Sequence, residues 1–147
     1  MRLHPAWPDE EVTLEQIEWL TEEQVHQIHD QVMNLFGGRR GMLHPYAVPA
    51  ALGACQNAYC DSVVAHAARL WVSLAMGHAF NDGNKRTAFT ATRVFLLMNG
   101  IEYRHPQGDE GTYQFIDRHF PEGQDSTFTA DIADRHLTQY CFVAREG

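Results

Sequence analysis

The chain has 147 residues, of which 44% are hydrophobic and 20% are charged, and its formal net charge is −8. These proportions are typical of one globular domain with a proper core, and the negative balance argues against a nucleic-acid-binding face. The three cysteines lack the paired short spacings of a zinc site, so we expect reduced thiols and a cytoplasmic protein.

The first segment, residues 1–19, is predicted to be an arm and lead-in to a domain that occupies residues 20–147. Two prolines interrupt the arm, and its first part lacks helical periodicity. It has no apolar signal core, and the most apolar stretch, residues 63–76, is broken by His66 and Arg69. We therefore expect neither secretion nor membrane insertion.

The first helix of the domain is predicted to open with a capping box of Thr21 and Gln24. Apolar residues at helical spacing define its buried face: Val25, Ile28, Val32 and Leu35. The pair Gly37-Gly38 is expected to end the helix. The next residues, Arg39 and Arg40, are expected to be solvated, and the alternative is a contact with a phosphate or an acidic partner. A short helix is then predicted around residues 50–54, where alanines cluster.

Two amphipathic helices are predicted on either side of a polar turn. Apolar residues recur every three or four positions from Val63 to Met76 and again from Ala88 to Met98. Asn99-Gly100 supplies a left-handed stop for the second helix. Between the two helices lies the tripeptide Asp82-Gly83-Asn84, a turn sequence in which Asn84 is predicted to cap the second helix.

The residue types around this turn indicate an anion site. The first turn of the second helix would hold Lys85, Arg86 and Thr87. Two cations there oppose the helix dipole unless an anion binds between them and the free backbone N–H groups. His78 can take a proton from a hydroxyl near neutral pH, and Asp82 is a hard oxygen ligand suited to Mg²⁺. The alternative is an ordinary polar corner with a solvated helix end.

The C-terminal third is predicted to contain little regular strand. Residues 101–104 are expected to be extended, 108–111 to form a turn and 113–119 to form a short helix. Thr129 is predicted to cap a last helix. The inward side chains of that helix would be Ile132, Ala133, Leu137, Tyr140 and Cys141. Strand signals are too sparse for a real sheet, so the prediction is all-α with at most a minor β element.

The stretch from His78 to Ala88, with the sequence HAFNDGNKRTA, resembles the signature of the Fic/Doc superfamily in its Doc (death-on-curing) form. Residues 20–30 and the glycine loop of residues 36–42 also resemble Doc, so the resemblance extends from about residue 20 to residue 100. It implies a compact single-domain helical bundle of the Fic/Doc type and the toxin of a toxin–antitoxin pair.

The resemblance also implies roles for the residues of the motif. His78, Asp82, Lys85 and Arg86 would be catalytic, with His78 as the base and Asp82 as the Mg²⁺ ligand. Nucleotide phosphates would bind to Gly83, Asn84, Lys85, Arg86 and Thr87, with Phe80 supporting the motif. ATP would be the substrate nucleotide.

A departure within the motif concerns the group that is transferred. Relatives that transfer AMP have glycine where this chain has Lys85, and a second arginine where it has Phe89. The lysine should obstruct close approach of an α-phosphate. In Doc the same change accompanies phosphorylation of a threonine on translation elongation factor Tu, so the resemblance implies a protein kinase toxin that blocks translation.

Two other functions stay open at the level of sequence. The same site could transfer a nucleotidyl group such as AMP to protein hydroxyls. Alternatively, the chain could be a catalytically silent module whose main role is to bind an antitoxin, which would be encoded alongside it. No direct nucleic-acid partner and no membrane partner is expected.

Overall fold

The computed structural model describes residues 1–4, 6–7 and 11–144. Helices dominate this part of the chain, as the all-α prediction requires, and the sheet has two short strands. The elements in order are a 3₁₀ turn (Leu14–Gln16), α1 (Glu22–Phe36), α2 (Ala47–Asn57), α3 (Val63–Met76), α4 (Asn84–Met98), β1 (Ile101–Tyr103), α5 (Gly108–His119), α6 (Ala130–Tyr140) and β2 (Cys141–Val143). None of the described helices is both long and apolar enough to cross a membrane.

Helix α3 lies at the centre of the bundle and packs against α2, α4 and α6. It has the bounds that its apolar period predicts. The apolar face predicted for it is buried throughout: Val64, Ala67, Ala68, Trp71, Leu74 and Ala75. The Trp71 ring contacts those of Phe89 on α4 and His136 on α6, so one side chain joins three helices. The core therefore holds both ends of the polar turn between α3 and α4.

The N-terminal residues provide hydrogen-bond acceptors for the first N–H groups of α3. The carbonyl oxygens of Arg2 and Leu3 accept hydrogen bonds from the N–H groups of Val63 (3.0 Å) and Val64 (3.1 Å). These N–H groups belong to the first turn of α3 and have no acceptor within the helix. The prolines of the predicted arm, Pro5 and Pro8, lie outside the described residues. The division into an arm and a domain at residue 20 stays a prediction.

Helix α1 has the predicted capping box and ends at Gly37, whose φ is +72°. The prediction that Leu35 is buried is wrong, because 78% of this residue is exposed. The buried stripe instead follows i, i+3, i+4 spacing: Val25, Ile28, His29, Val32 and Met33. Leu35 lies beside this stripe in the last turn, where the helix extends past the core.

The predicted turn at residues 108–111 is wrong, because α5 begins at Gly108. The acidic residues Asp109 and Glu110 lie in its first turn, where they favour the helix dipole. Similarly, α2 starts at Ala47, with Pro49 in its first turn, where a missing N–H group costs nothing.

The last helix is capped as predicted, since the Thr129 side chain accepts a hydrogen bond from the Ile132 N–H group. Ala133 and Leu137 are buried, whereas the other residues predicted to face inward are only partly buried. Cys141 belongs to β2, which pairs antiparallel with β1, and it lies opposite Tyr103. The extended segment predicted from residue 101 is thus the first strand of this small sheet.

Candidate active site

The polar turn between α3 and α4 is held from inside by Asn84. The side-chain amide of Asn84 donates a hydrogen bond to the Phe80 carbonyl oxygen (2.8 Å), and its Oδ1 accepts one from the Phe80 N–H group (3.0 Å). Asn84 is the first residue of α4, and the cap position is occupied by Gly83 in the left-handed conformation. The prediction that Asn84 caps α4 is therefore wrong: its side chain closes the loop instead.

Phe80 anchors the same loop to α1. Its ring is 2% exposed and stacks on the ring of His29, with 3.7 Å between centroids and 8° between planes. Nε2 of His29 lies 2.9 Å from the carbonyl oxygen of Asp82, which can only accept, so the histidine donates. His29 thus supports both ends of the segment from Phe80 to Asp82, a role that the sequence pattern did not indicate.

The glycine loop after α1 runs alongside the turn. The Asn81 N–H group donates to the Gly41 carbonyl oxygen (3.0 Å), and the Leu43 N–H group donates to that of Ala79 (2.8 Å). Met42 and Phe80 form an antiparallel bridge between these contacts. The loop therefore forms a short backbone wall along one side of the turn.

His78 lies in the loop directly after α3 and is exposed. Its φ is +51°, a left-handed value that is uncommon for a residue with a side chain. Backbone strain of this kind persists where the surroundings fix it, and it concentrates at functional sites. Within residues 11–144 the imidazole makes no hydrogen bond or ion pair. The ring is therefore accessible for proton transfer with an incoming hydroxyl.

Asp82 has one carboxylate oxygen in use and one without a described partner. Its Oδ2 accepts a hydrogen bond from the backbone N–H group of Arg39 (2.7 Å), and the residue is exposed. In the described ranges no group of three or more potential metal ligands occurs. A Mg²⁺ ion at Asp82 would thus take its other ligands from phosphate oxygens and water, which is how Mg²⁺ commonly accompanies nucleotides. The residue fits that role.

The two arginines of the glycine loop contribute differently. Arg39 offers its backbone N–H group to Asp82, as described above. The side chain of Arg40 turns back to α1, where it donates to Asn34 Oδ1 (2.5 Å) and lies 3.8 Å from the Asp30 carboxylate. Arg40 therefore helps to fix the loop on α1.

The amino end of α4 is open for an anion. The first backbone hydrogen bond of the helix runs from the Thr87 N–H group to the Gly83 carbonyl oxygen (2.9 Å). The N–H groups of residues 84–86 precede it and have no acceptor one turn earlier within the helix. Glycine suits position 83 because its φ is +80°, and an added Cβ would also have to displace the end of the Met33 side chain.

Arg86 is fixed by aromatic contacts. The centre of its guanidinium lies 3.8 Å from the ring centroid of Phe36 and 4.3 Å from that of Tyr113. In the described chain no carboxylate oxygen lies within 4.0 Å of it, so its charge has no close counter-ion there. Cation–π contacts orient a guanidinium without neutralising it. Arg86 is therefore positioned to bind an anion.

A cavity of about 230 Å³ opens at this helix end. Its lining joins four residues predicted from the motif to three residues of α5: Gly83, Asn84, Lys85, Arg86, Tyr113, Ile116 and Asp117. The three from α5 share one helix face, but no sequence signal ties that face to the turn. His78 and Asp82 belong to the adjoining loop and lie outside this lining.

Thr87, predicted to bind phosphate, is buried in α4 with 1% of its surface exposed. It is not part of the cavity lining. Its hydroxyl has no hydrogen-bond partner among the residues that the structure describes. A contact between this hydroxyl and a nucleotide stays a prediction.

Comparison with known proteins shows the family of the chain. The model of the Fic/DOC family matches residues 19–96, just over half of the chain. Protein kinase doc of Escherichia phage P1 is 32% identical over 87 residues, which cover 56% of this chain and 69% of the phage protein. Toxin Doc of Mycolicibacterium smegmatis is 56% identical over 36 residues, 24% of this chain and 28% of that toxin. The region matched by the family model includes α1, α2, α3 and nearly all of α4, and because it is more than half of the chain, the chain belongs to the Fic/DOC family.

Proposed function

We propose that the chain is a Doc-like toxin that transfers the γ-phosphate of ATP to a hydroxyl group of a protein. By resemblance, the acceptor is a threonine of translation elongation factor Tu, and the transfer blocks translation. The observation that most supports this proposal is the cavity at the start of α4, where Lys85 and Arg86 meet backbone N–H groups. The similarity to protein kinase doc supports transfer to a protein.

The proposed reaction is an in-line displacement at phosphorus. His78 accepts the proton of the acceptor hydroxyl, whose oxygen forms a new bond to the γ-phosphorus. The bond between that phosphorus and the β–γ bridging oxygen breaks, and ADP leaves with the electron pair. Lys85, Arg86 and the backbone N–H groups of α4 stabilise the negative charge that is shared among the phosphate oxygens.

Asp82 is the residue proposed to hold Mg²⁺. The hydrogen bond from Arg39 to Oδ2 fixes the carboxylate, and Oδ1 is available for a cation. When bound, Mg²⁺ supplies charge neutralisation for the phosphates of the nucleotide.

Lys85 is the reason to prefer phosphoryl transfer over AMP transfer. It is exposed at the start of α4, and its Nζ lies 5.4 Å from the Phe120 ring centroid. A side chain at this position occupies space that a glycine would leave to a closely bound α-phosphate, and its charge suits a terminal phosphate instead.

Further parts of the proposal follow from the similarity to Doc toxins. A cognate antitoxin, encoded alongside, would bind the chain and suppress its activity. The site of action would be the cytoplasm, where ATP and the translation machinery are found.

The deciding experiment supplies ATP labelled at either the α- or the γ-phosphate, with purified elongation factor Tu and with a bacterial lysate. The proposal expects protein labelling from γ-labelled ATP. Labelling from α-labelled ATP alone would overturn it in favour of AMP transfer. His78→Ala should lower γ-transfer by about 10²- to 10⁴-fold. His44→Ala is the matched control, since it changes an exposed histidine and leaves its backbone hydrogen bond to Ala79 in place.

A further inference from the structure

A second and larger cavity, of about 580 Å³, lies between α5 and α6. The described residues that line it include two arginines and three histidines but no carboxylate: Arg118, Arg135, His105, His119 and His136. The chain as a whole has 19 acidic and 11 basic residues. A concave surface without acids is therefore contrary to the average charge of this protein, and the field of its two arginines favours an anion.

The two arginines are free to bind such an anion. Neither Arg118 nor Arg135 has a carboxylate oxygen of a described residue within 4.0 Å. Both are exposed, so their guanidinium groups reach the mouth of the cavity without the cost of burying a charge. Guanidinium groups bind phosphate and carboxylate groups bidentately.

The wall of the cavity is a rigid aromatic stack. The rings of Phe115 and His136 are stacked with 3.7 Å between centroids, and those of His105 and Tyr140 are 4.5 Å apart. Each of these four side chains also lines the cavity. Such rings offer apolar faces and edges to the body of a ligand while the arginines hold its charge.

His136 provides a polar atom in the same wall. The residue is 6% exposed, and its Nε2 lies 2.8 Å from the Tyr103 hydroxyl, which is itself 2.8 Å from the Thr112 hydroxyl. These two hydrogen bonds fix the orientation of the imidazole ring. Its other nitrogen, Nδ1, makes no hydrogen bond to a described residue. Nδ1 is not among the fully buried side-chain atoms of the described residues, so it can form a hydrogen bond with a ligand in the cavity.

We propose that this cavity binds a small organic anion, with a phosphate or carboxylate group held by Arg118 and Arg135 and a ring-sized body against Phe115 and Tyr140. The volume lies within the range of small-molecule sites. The site is separate from the candidate active site, because Phe115 and Arg118 line this cavity whereas Tyr113 and Asp117 of the same helix line the other. The inference does not depend on the proposed function.

The test is an NMR titration of the ¹⁵N-labelled full chain with phenyl phosphate, benzoate, inorganic phosphate and phenol. The proposal expects saturable shifts of the His136 ring signals and of the backbone signals of Phe115 and Gln139 with an aromatic anion. It expects weaker effects from phosphate or phenol alone. Comparison of phenyl phosphate with benzoate identifies the preferred acidic group.

Variants assign the binding to the arginines. Exchanging both Arg118 and Arg135 for glutamine should weaken the binding of the aromatic anion about tenfold or more, because two charge-assisted contacts are lost. Lysine at both positions should restore part of it. Arg69→Gln is the matched control, since it removes an exposed arginine on α3 that is outside this cavity.

Three results would overturn the proposal. One is the absence of His136 shifts with both aromatic anions at about 10 mM. Another is unchanged binding by the double glutamine variant when its spectrum is that of a folded protein. The third is a set of shifts confined to the start of α4, which would assign the anion to the candidate active site.

Discussion

Asn84 makes two side-chain hydrogen bonds to the backbone of Phe80, four residues earlier, and so closes the polar turn into a ring. The contact couples the start of α4 to the loop that carries His78 and Asp82. Any shift of this loop would move the proposed base and the proposed metal ligand relative to the anion cavity. The geometry of the site therefore depends on an amide that need not touch the substrate.

Replacement of Asn84 by alanine should lower the free energy of unfolding by about 1–3 kcal/mol. The reason is that the N–H and carbonyl groups of Phe80 lose their partners in a partly buried place. Urea unfolding followed by circular dichroism measures the change. Asn57→Ala is a suitable control because Asn57 is exposed at the end of α2. Equal stability of the two variants would show that water replaces both bonds.

Gly83→Ala should destabilise the protein more than Gly123→Ala. Both glycines have a left-handed φ, +80° and +73°, so both substitutions carry the same backbone penalty. At Gly83 the new Cβ also meets the side chain of Met33, whereas at Gly123 no atom lies within 4 Å of it. We expect an additional loss of about 1 kcal/mol at Gly83, at the low end of the cost of overpacking, because the atom that must move is the end of a flexible side chain.

The measurement is again the free energy of unfolding, with both variants in the same buffer. Similar losses in the two variants would mean that Met33 moves aside without cost. The double change Gly83→Ala with Met33→Ala then provides a direct check, since removal of the Met33 side chain should recover part of the additional loss.

Much of this architecture is predictable because local pattern and tertiary packing agree. The bounds of α3 follow from an apolar period that runs from Val63 to Met76, and the caps at Thr21 and Thr129 follow from side chains that bond within one turn. The role of Asn84 was not predictable, because an asparagine beside a glycine can cap a helix or bond backward. The left-handed Gly83 decides between the two.

The other differences between prediction and structure concern one local ambiguity and two contacts between residues distant in sequence. Tyr113 and Asp117 reach the anion cavity only because α5 folds back across the start of α4. The segment 108–111 contains two glycines and an aspartate, which are common in turns. Its acidic residues Asp109 and Glu110 are equally suited to the first turn of a helix, so the composition does not distinguish the two. His29 packs on Phe80 across the bundle, and no periodic pattern indicates such a stack.

Lys85→Gly should weaken γ-phosphoryl transfer by about tenfold and increase transfer of the α-phosphoryl group, since it removes a charge and opens space at the start of α4. The assay compares incorporation from α- and γ-labelled ATP by the same preparation. Lys85→Arg is the matched variant, because it keeps the charge and the obstruction, and it should retain the preference for γ-transfer. Unaltered kinetics of Lys85→Gly would mean that this lysine does not engage the nucleotide.

The stability of the protein should fall as the pH drops from about 6.5 to about 4, and His136 should account for much of the loss. Burial, and to a smaller extent the nearby His105, His119 and Arg118, lower the pKa of His136 to about 4. The Tyr103 hydroxyl also faces the ring. Between about pH 6.5 and pH 4, His136 is protonated in the unfolded chain but remains neutral in the folded chain, so the free energy of unfolding falls as the pH drops.

This difference corresponds to about 3 kcal/mol over the whole interval, at 1.36 kcal/mol for each pH unit. Thermal unfolding between pH 4 and pH 8 measures it. His136→Asn removes the titrating group, so the slope of stability against pH should flatten between pH 4 and 6.5 even if the variant is less stable at pH 8. A steep slope that persists in His136→Asn would assign the acid sensitivity to other groups, of which His4 and His119 are candidates because burial lowers the pKa of each.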